Sequence, residues 1–206
     1  MTFKLPVTLS FFLIFSALLS LAAERGQASG GLRALMLGDS LTAGGDWPAL
    51  LPGVEIINQG LSGQTSGQIL TRLDSVAEAR PDLIFLLAGV NDFYVARGEE
   101  RIVANHLAIW RELARKLPQA RLQVISLTPV SERKYPGLNR RIRAVNRQLE
   151  GEARKMGLSF IDLYSPLADE EGALRPEYTY DGLHFSAEGY RVWAVTINPY
   201  LKEARP

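Results

Sequence analysis

Histidine is the side chain best suited to move a proton near neutral pH, and this sequence has two, His106 and His184. His184 ends the run Asp181-Gly182-Leu183-His184. Two intervening residues in a turn let the carboxylate face one ring nitrogen, fix the tautomer and stabilise the imidazolium, while the other nitrogen turns to a nucleophile. Ser40, in Gly38-Asp39-Ser40-Leu41-Thr42, is the candidate nucleophile, because the glycine permits a sharp turn that presents the hydroxyl. Alone that segment is equally a turn formula. Two further segments supply donors. Asn58-Gln59-Gly60-Leu61-Ser62-Gly63 contains a glycine that lets the backbone approach a ligand and offer its N–H, and Gly89-Val90-Asn91-Asp92 carries a neutral amide. Acyl transfer needs donors aimed at the oxyanion of a tetrahedral intermediate, and Ser40 N–H, Gly60 N–H and the Asn91 side chain are candidates.

These groups are useful only if the fold converges them. Short apolar runs at Leu32–Leu37, Val54–Ile57, Leu83–Leu87, Leu122–Leu127 and Leu158–Ile161 have the length and near-continuity of strands buried on both faces. Amphipathic stretches alternate with them. Ile69, Leu73, Val76 and Ala77 share one helical face; Ile102, Leu107, Trp110, Leu113 and Leu117 mark a second helix; Ile142, Val145, Leu149 and Met156 a third; and a last helix is expected at about Ala187–Ile197. Strands alternating with helices predict a three-layer α/β/α domain with about five parallel strands and right-handed crossovers. Such sheets bind ligands outside the carboxyl ends of their strands. Ser40, Gly60 and Asn91 each follow one of the predicted strands.

Composition narrows the classes. A chain of 206 residues that is 47% hydrophobic and 22% charged is long enough for one core and far from the disordered or polytopic membrane classes. A net charge of +1 gives no field that would recruit nucleic acid. With no cysteine, disulfides, thiolate catalysis and cysteine-based metal sites are ruled out, and two histidines are few for a zinc centre. Lys4 followed by the uncharged run Val7–Ala23 has the pattern of a signal peptide over residues 1–23, with cleavage after Ala22 or Ala23. The competing reading is an uncleaved anchor. Residues 24–31 read as a linker and 32–206 as the folded domain, placed outside the cytoplasm and without stable membrane insertion once the leader is removed.

Taken together, Gly38-Asp39-Ser40-Leu41, Gly60, Gly89-x-Asn91-Asp92 and Asp181-x-x-His184 resemble the four sequence blocks of the GDSL, or SGNH, hydrolase family, in that family's order and across nearly the whole domain. The resemblance implies a flavodoxin-like sheet, a catalytic Ser40, an oxyanion hole from Ser40, Gly60 and Asn91, and the Asp181–His184 pair. It implies an ester hydrolase working through an acyl-enzyme on a small-molecule ester, with no cofactor and no metal. Small to medium acyl esters, lysophospholipids, thioesters and O-acetylated carbohydrate all fall within that implication, and a non-catalytic ligand-binding module is the alternative outside it. Neither the alcohol part of the substrate nor the oligomeric state is fixed by these motifs.

Other residues have plainer readings. His106 falls near the apolar stripe of its helix, which favours a core role. Asp39 and Asp92 suit turn-stabilising hydrogen bonds better than a glycosidase-like carboxylate pair. The basic run Arg140, Arg141, Arg143, Arg147, Arg154 and Lys155, broken by Glu150 and Glu152, reads as a solvated helix face. Trp47, Phe93, Tyr94, Tyr135, Tyr178 and Tyr180 lie near the motifs and fit packing as well as a substrate pocket, while Trp193 reads as core. Short connections predict an open site without a large lid.

Overall fold

The computed structural model describes residues 31–95 and 98–204; the expected leader and all of the linker except Gly31 lie outside the described residues. Five strands, β1 (Arg33–Gly38), β2 (Glu55–Gly60), β3 (Leu83–Leu87), β4 (Arg121–Ile125) and β5 (Ser159–Ile161), form one sheet in the order β2-β1-β3-β4-β5. Every pairing is parallel. This is the expected flavodoxin-like order, which reverses direction at β1 and opens a crevice between the ends of β1 and β3.

The short helices α1 (Ser40–Ala43) and α2 (Trp47–Leu50) follow β1; α3 (Ser66–Leu70) and α4 (Leu73–Glu78) follow β2; α5 (Glu99–Lys116) follows β3; α6 (Leu138–Lys155) follows β4; α7 (Tyr164–Leu167) and α8 (Ala187–Ala204) complete the order. All five residues of β3 are buried. Because successive strand side chains point to opposite faces, both faces of the sheet must be covered. Helix α5 packs on α3, α4 and α6, while α8 packs on α2 and α7, so the helices form two layers. Trp47, Trp110 and Trp193 are fully buried, and Trp47 and Trp193 meet edge-on with centroids 4.8 Å apart.

Four details depart from expectation. The edge strand β2 has no buried residue, since one long side faces no neighbouring strand, so burial on both faces holds for the central strands only. The single helix expected through Ile69, Leu73 and Val76 is broken: Arg72 leaves helical geometry at φ −120° and ψ 21°, separating α3 from α4. Helix α8 runs past Ile197 and through Pro199 to Ala204, carried by the burial of Ile197 and Leu201 on its inner face. Met156, expected on the apolar stripe of α6, caps its end and is exposed.

Candidate active site

Gly38, the last residue of β1, pairs with Gly60 of β2 and Leu87 of β3, so the strand ends that carry the candidate groups are neighbours. The chain turns at once into α1. The Asp39 carboxylate caps that helix by accepting from Leu41 N–H at 3.0 Å, as its turn position suggested. Ser40 is the first residue of α1, where a backbone N–H has no acceptor inside the helix. Gly60 has a steric reason as well: a Cβ there would lie 2.6 Å from Ala43 Cα and from the Thr42 carbonyl carbon, so the glycine lets β2 lie against α1.

The acid–base pair sits in a loop fastened at both ends. Thr179 and Phe185 form an antiparallel bridge. Inside it the Thr179 hydroxyl donates to His184 O at 2.7 Å and accepts from Gly182 N–H at 2.8 Å. Gly182 takes φ 91°, a conformation that disfavours a side chain, and its carbonyl accepts from Ser131 N–H at 2.8 Å.

This loop brings His184 Nε2 to 3.0 Å from Ser40 Oγ, and His184 Nδ1 to 2.6 Å from Asp181 Oδ2. The other carboxylate oxygen, Oδ1, accepts from the N–H groups of Leu183 at 2.9 Å and His184 at 2.7 Å. Burial pushes the Asp181 carboxyl up, but the His184 ring and those two N–H groups outweigh it and bring the pKa down to about 2. An ionised carboxylate only accepts, so Nδ1 carries the ring proton and Nε2 is left to accept from the Ser40 hydroxyl. His184 and Asp181 side chains are 30% and 36% exposed, within reach of an incoming ligand.

The third strand end contributes Asn91, whose Nδ2 donates one hydrogen to Gln64 O at 3.0 Å, leaving the second for another acceptor. Gly60 N–H is already engaged, donating to Asn58 Oδ1 at 2.9 Å. Of the three expected oxyanion donors, this one must be shared with or released by Asn58.

Several supporting residues escaped the sequence reading. Asp92 does not close its own turn; its two oxygens accept from the Ser66 hydroxyl at 2.6 Å and Ser66 N–H at 2.8 Å. That pins the short 3₁₀ segment Asn91–Val95 to the start of α3. The signal was present as a capping box, since Thr65 and Gln68 bond reciprocally at the same helix start. Arg72 and Gln64, also missed, join the strand ends from behind. His106 is buried with Nε2 2.9 Å from Ala88 O, and burial pulls its pKa down, in keeping with a core role. Burial also pushes the Asp39 carboxyl up to about 7, against the pull of Leu41 N–H and His184.

The aromatic residues divide. Trp47 is core, and Phe93 is buried beneath the Arg141 guanidinium at 4.9 Å. Tyr94 and Tyr135 meet edge-on at 6.0 Å, and Tyr180, 74% exposed, lies nearly parallel to the His184 ring at 13° and 6.0 Å. On the far side of Asp181 a cavity of about 430 Å³ is bordered by Glu132, Lys134, Pro176 and Tyr180. Along α6, Arg141 pairs with Glu99, Arg154 with Glu150 and Lys155 with Glu152, the solvated face its charge pattern predicted. Among the described residues no three His, Asp or Glu side chains cluster as metal ligands, and no helix is long and apolar enough to cross a membrane.

Known proteins resemble the chain over this frame. A GDSL-like lipase from Bacteroides thetaiotaomicron superposes with a TM-score of 0.73 at 26% identity, covering 90% of this chain and 97% of that one. The alpha2 subunit of platelet-activating factor acetylhydrolase IB from Gallus gallus is 24% identical over 147 residues, 70% of this chain and 63% of that protein. An arylesterase from Vibrio mimicus is 40% identical over 73 residues, 28% of this chain and 36% of that protein. The chain therefore spans less than two thirds of the length of these two relatives. The family model for GDSL-like lipases and acylhydrolases matches residues 36–192, more than half the sequence and every segment of the site. The chain belongs to the GDSL-like lipase/acylhydrolase family.

Proposed function

We propose that the protein is a serine-dependent carboxylic-ester hydrolase, exported by its leader, in which Ser40 is acylated and His184 and Asp181 move and stabilise the proton. The observation that carries this reading is the continuous chain Ser40 Oγ, His184 Nε2, His184 Nδ1, Asp181 Oδ2, with contacts of 3.0 Å and 2.6 Å. As Ser40 Oγ attacks the ester carbonyl, its proton passes to His184 Nε2 and the carbonyl oxygen becomes an oxyanion. Ser40 N–H and the free hydrogen of Asn91 Nδ2 meet that charge, joined by Gly60 N–H as Asn58 shares it; one such donor contributes roughly 3–4 kcal/mol. His184 then protonates the departing alcohol, and a water activated by the same ring releases the acid and restores Ser40.

A second reading, an O-acetylesterase acting on carbohydrate, draws on one observation. The exposed Tyr180 ring beside His184, bordering a cavity with charged walls, offers a flat apolar face and polar groups together, which suits a sugar ring.

Hydrolysis of p-nitrophenyl esters from acetate to palmitate, alongside Ser40→Ala and His184→Ala, tests the first reading. Wild-type turnover with losses of roughly 10³-fold or more in each variant supports it, and the chain-length optimum together with activity on acetylated oligosaccharides chooses between the two. Absence of turnover on all of these, with no labelling of Ser40 by a fluorophosphonate, would replace both with the ligand-binding module.

A further inference from the structure

Arg72 stands where α3 breaks from α4, and its half-buried guanidinium makes four bonds, all to neutral acceptors. Nε donates to Gln64 Oε1 at 2.7 Å, Nη1 to Gln59 Oε1 at 3.2 Å, and Nη2 to Gln59 O at 2.8 Å and Gly38 O at 3.3 Å. Among the described residues no carboxylate lies within ion-pair distance of it. Burial pulls its pKa down, and neutral amide and carbonyl oxygens rather than an anion meet its charge.

What the four acceptors share is their position. Gly38 O is the last carbonyl of β1, immediately before Asp39 and Ser40. Gln64 is the residue whose own carbonyl receives Asn91 Nδ2. Gln59 O belongs to the same peptide unit as Gly60 N–H, so the guanidinium pulls electron density toward one end of that unit and strengthens the donor at the other. One planar fork thus reaches the segments that carry all three oxyanion donors. Arginine suits the task because its donors hold fixed directions, which a lysine ammonium does not.

We propose that Arg72 is the positioning residue of the oxyanion site: it sets the spacing of the Ser40, Gly60 and Asn91 donors from behind and polarises the Gln59–Gly60 peptide. This rests on the serine-esterase reading above.

The test compares wild type, Arg72→Lys and Arg72→Ala on p-nitrophenyl acetate, together with the second-order rate of Ser40 labelling by a fluorophosphonate and the melting temperature of each protein. The expected result is a fall in kcat of roughly 10- to 100-fold in Arg72→Ala with KM little changed, a matching fall in labelling rate, and partial recovery when millimolar guanidinium is added to the variant but not to wild type. Arg72→Lys, which keeps charge and most of the volume, should recover less than half of the lost rate, and it carries the test if Arg72→Ala does not fold. A folded Arg72→Lys with kcat and labelling within about twofold of wild type overturns the proposal, as does a folded Arg72→Ala whose loss appears in KM alone. If wild type itself resists the fluorophosphonate, or Ser40→Ala keeps its activity, the esterase reading has failed and the role of Arg72 falls with it.

Discussion

Asp181 holds His184 twice, through the ring at Nδ1 and through the backbone N–H, using a different carboxylate oxygen for each, at 2.6 Å and 2.7 Å. The division fixes what a neutral replacement would do. In Asp181→Asn the amide oxygen must stay on the two backbone N–H groups, which cannot accept, so the NH₂ faces the ring. His184 then carries its proton on Nε2 and cannot take the one on Ser40. We expect kcat to fall by about 10³- to 10⁴-fold with the melting temperature little altered, measured by steady-state kinetics and calorimetry. A loss below tenfold in a folded variant would remove Asp181 from the mechanism.

Asn91→Ala deletes a proposed oxyanion donor and frees the carbonyl of Gln64. The expected loss is roughly 10²- to 10³-fold in kcat with KM nearly constant, because the bond to the substrate oxygen strengthens only as charge develops. A rise in KM with unchanged kcat would instead make Asn91 an ordinary binding residue.

For Gly60→Ala the difficulty is steric. The added methyl meets the backbone of α1 rather than a side chain that could swing away, so the strand end and the helix bearing Ser40 must part. A destabilisation of about 1–3 kcal/mol should be accompanied by at least a tenfold loss of kcat, read from urea unfolding and from ester hydrolysis by the same preparation. Wild-type rates at unchanged stability would show that β2 and α1 can separate without harm.

The Asp39 carboxyl supplies a pH prediction. Burial raises its pKa from 3.8 to about 7 in the folded protein, so between those limits the folded state binds more protons than the unfolded chain and stability falls as pH rises, by up to about 1.4 kcal/mol per pH unit. Asn keeps the acceptor for Leu41 N–H and has no charge to lose. Asp39→Asn should therefore gain stability relative to wild type as pH goes from 5 to 8. Unfolding midpoints at the two pH values check this, and a constant gap between the proteins would count against it.

How far these relationships were legible in the sequence follows from the range of each interaction. Ser40, Asn91, Asp181 and His184 were visible because their chemistry depends on residue type and on following a strand or sharing a turn, both of which are local. The central strands followed from apolar runs such as Leu83–Leu87, and the flavodoxin-like sheet from the family resemblance. Arg72 was not visible, since it lies inside an amphipathic pattern that continues across it, and its partners at Gly38, Gln59 and Gln64 are assembled only when β1 and β2 pair. The engagement of Gly60 N–H by Asn58 was hidden differently. A side chain two residues earlier can serve either the turn or nothing, and only the bend of the chain decides. The aromatic residues near the motifs were ambiguous for the same reason: Trp47 and Tyr180 have equal standing in sequence, and packing sends one to the core and the other to the surface.

The loop from Thr179 to Phe185 closes upon itself through the Thr179 hydroxyl and the bridge at its base, whereas it reaches Ser40 through the 3.0 Å contact with His184. Imidazole and carboxylate therefore form one pre-assembled unit: the loop sets the ring's proton and orientation by itself, without Ser40, and holds its place through Gly182 O and Ser131 N–H at 2.8 Å.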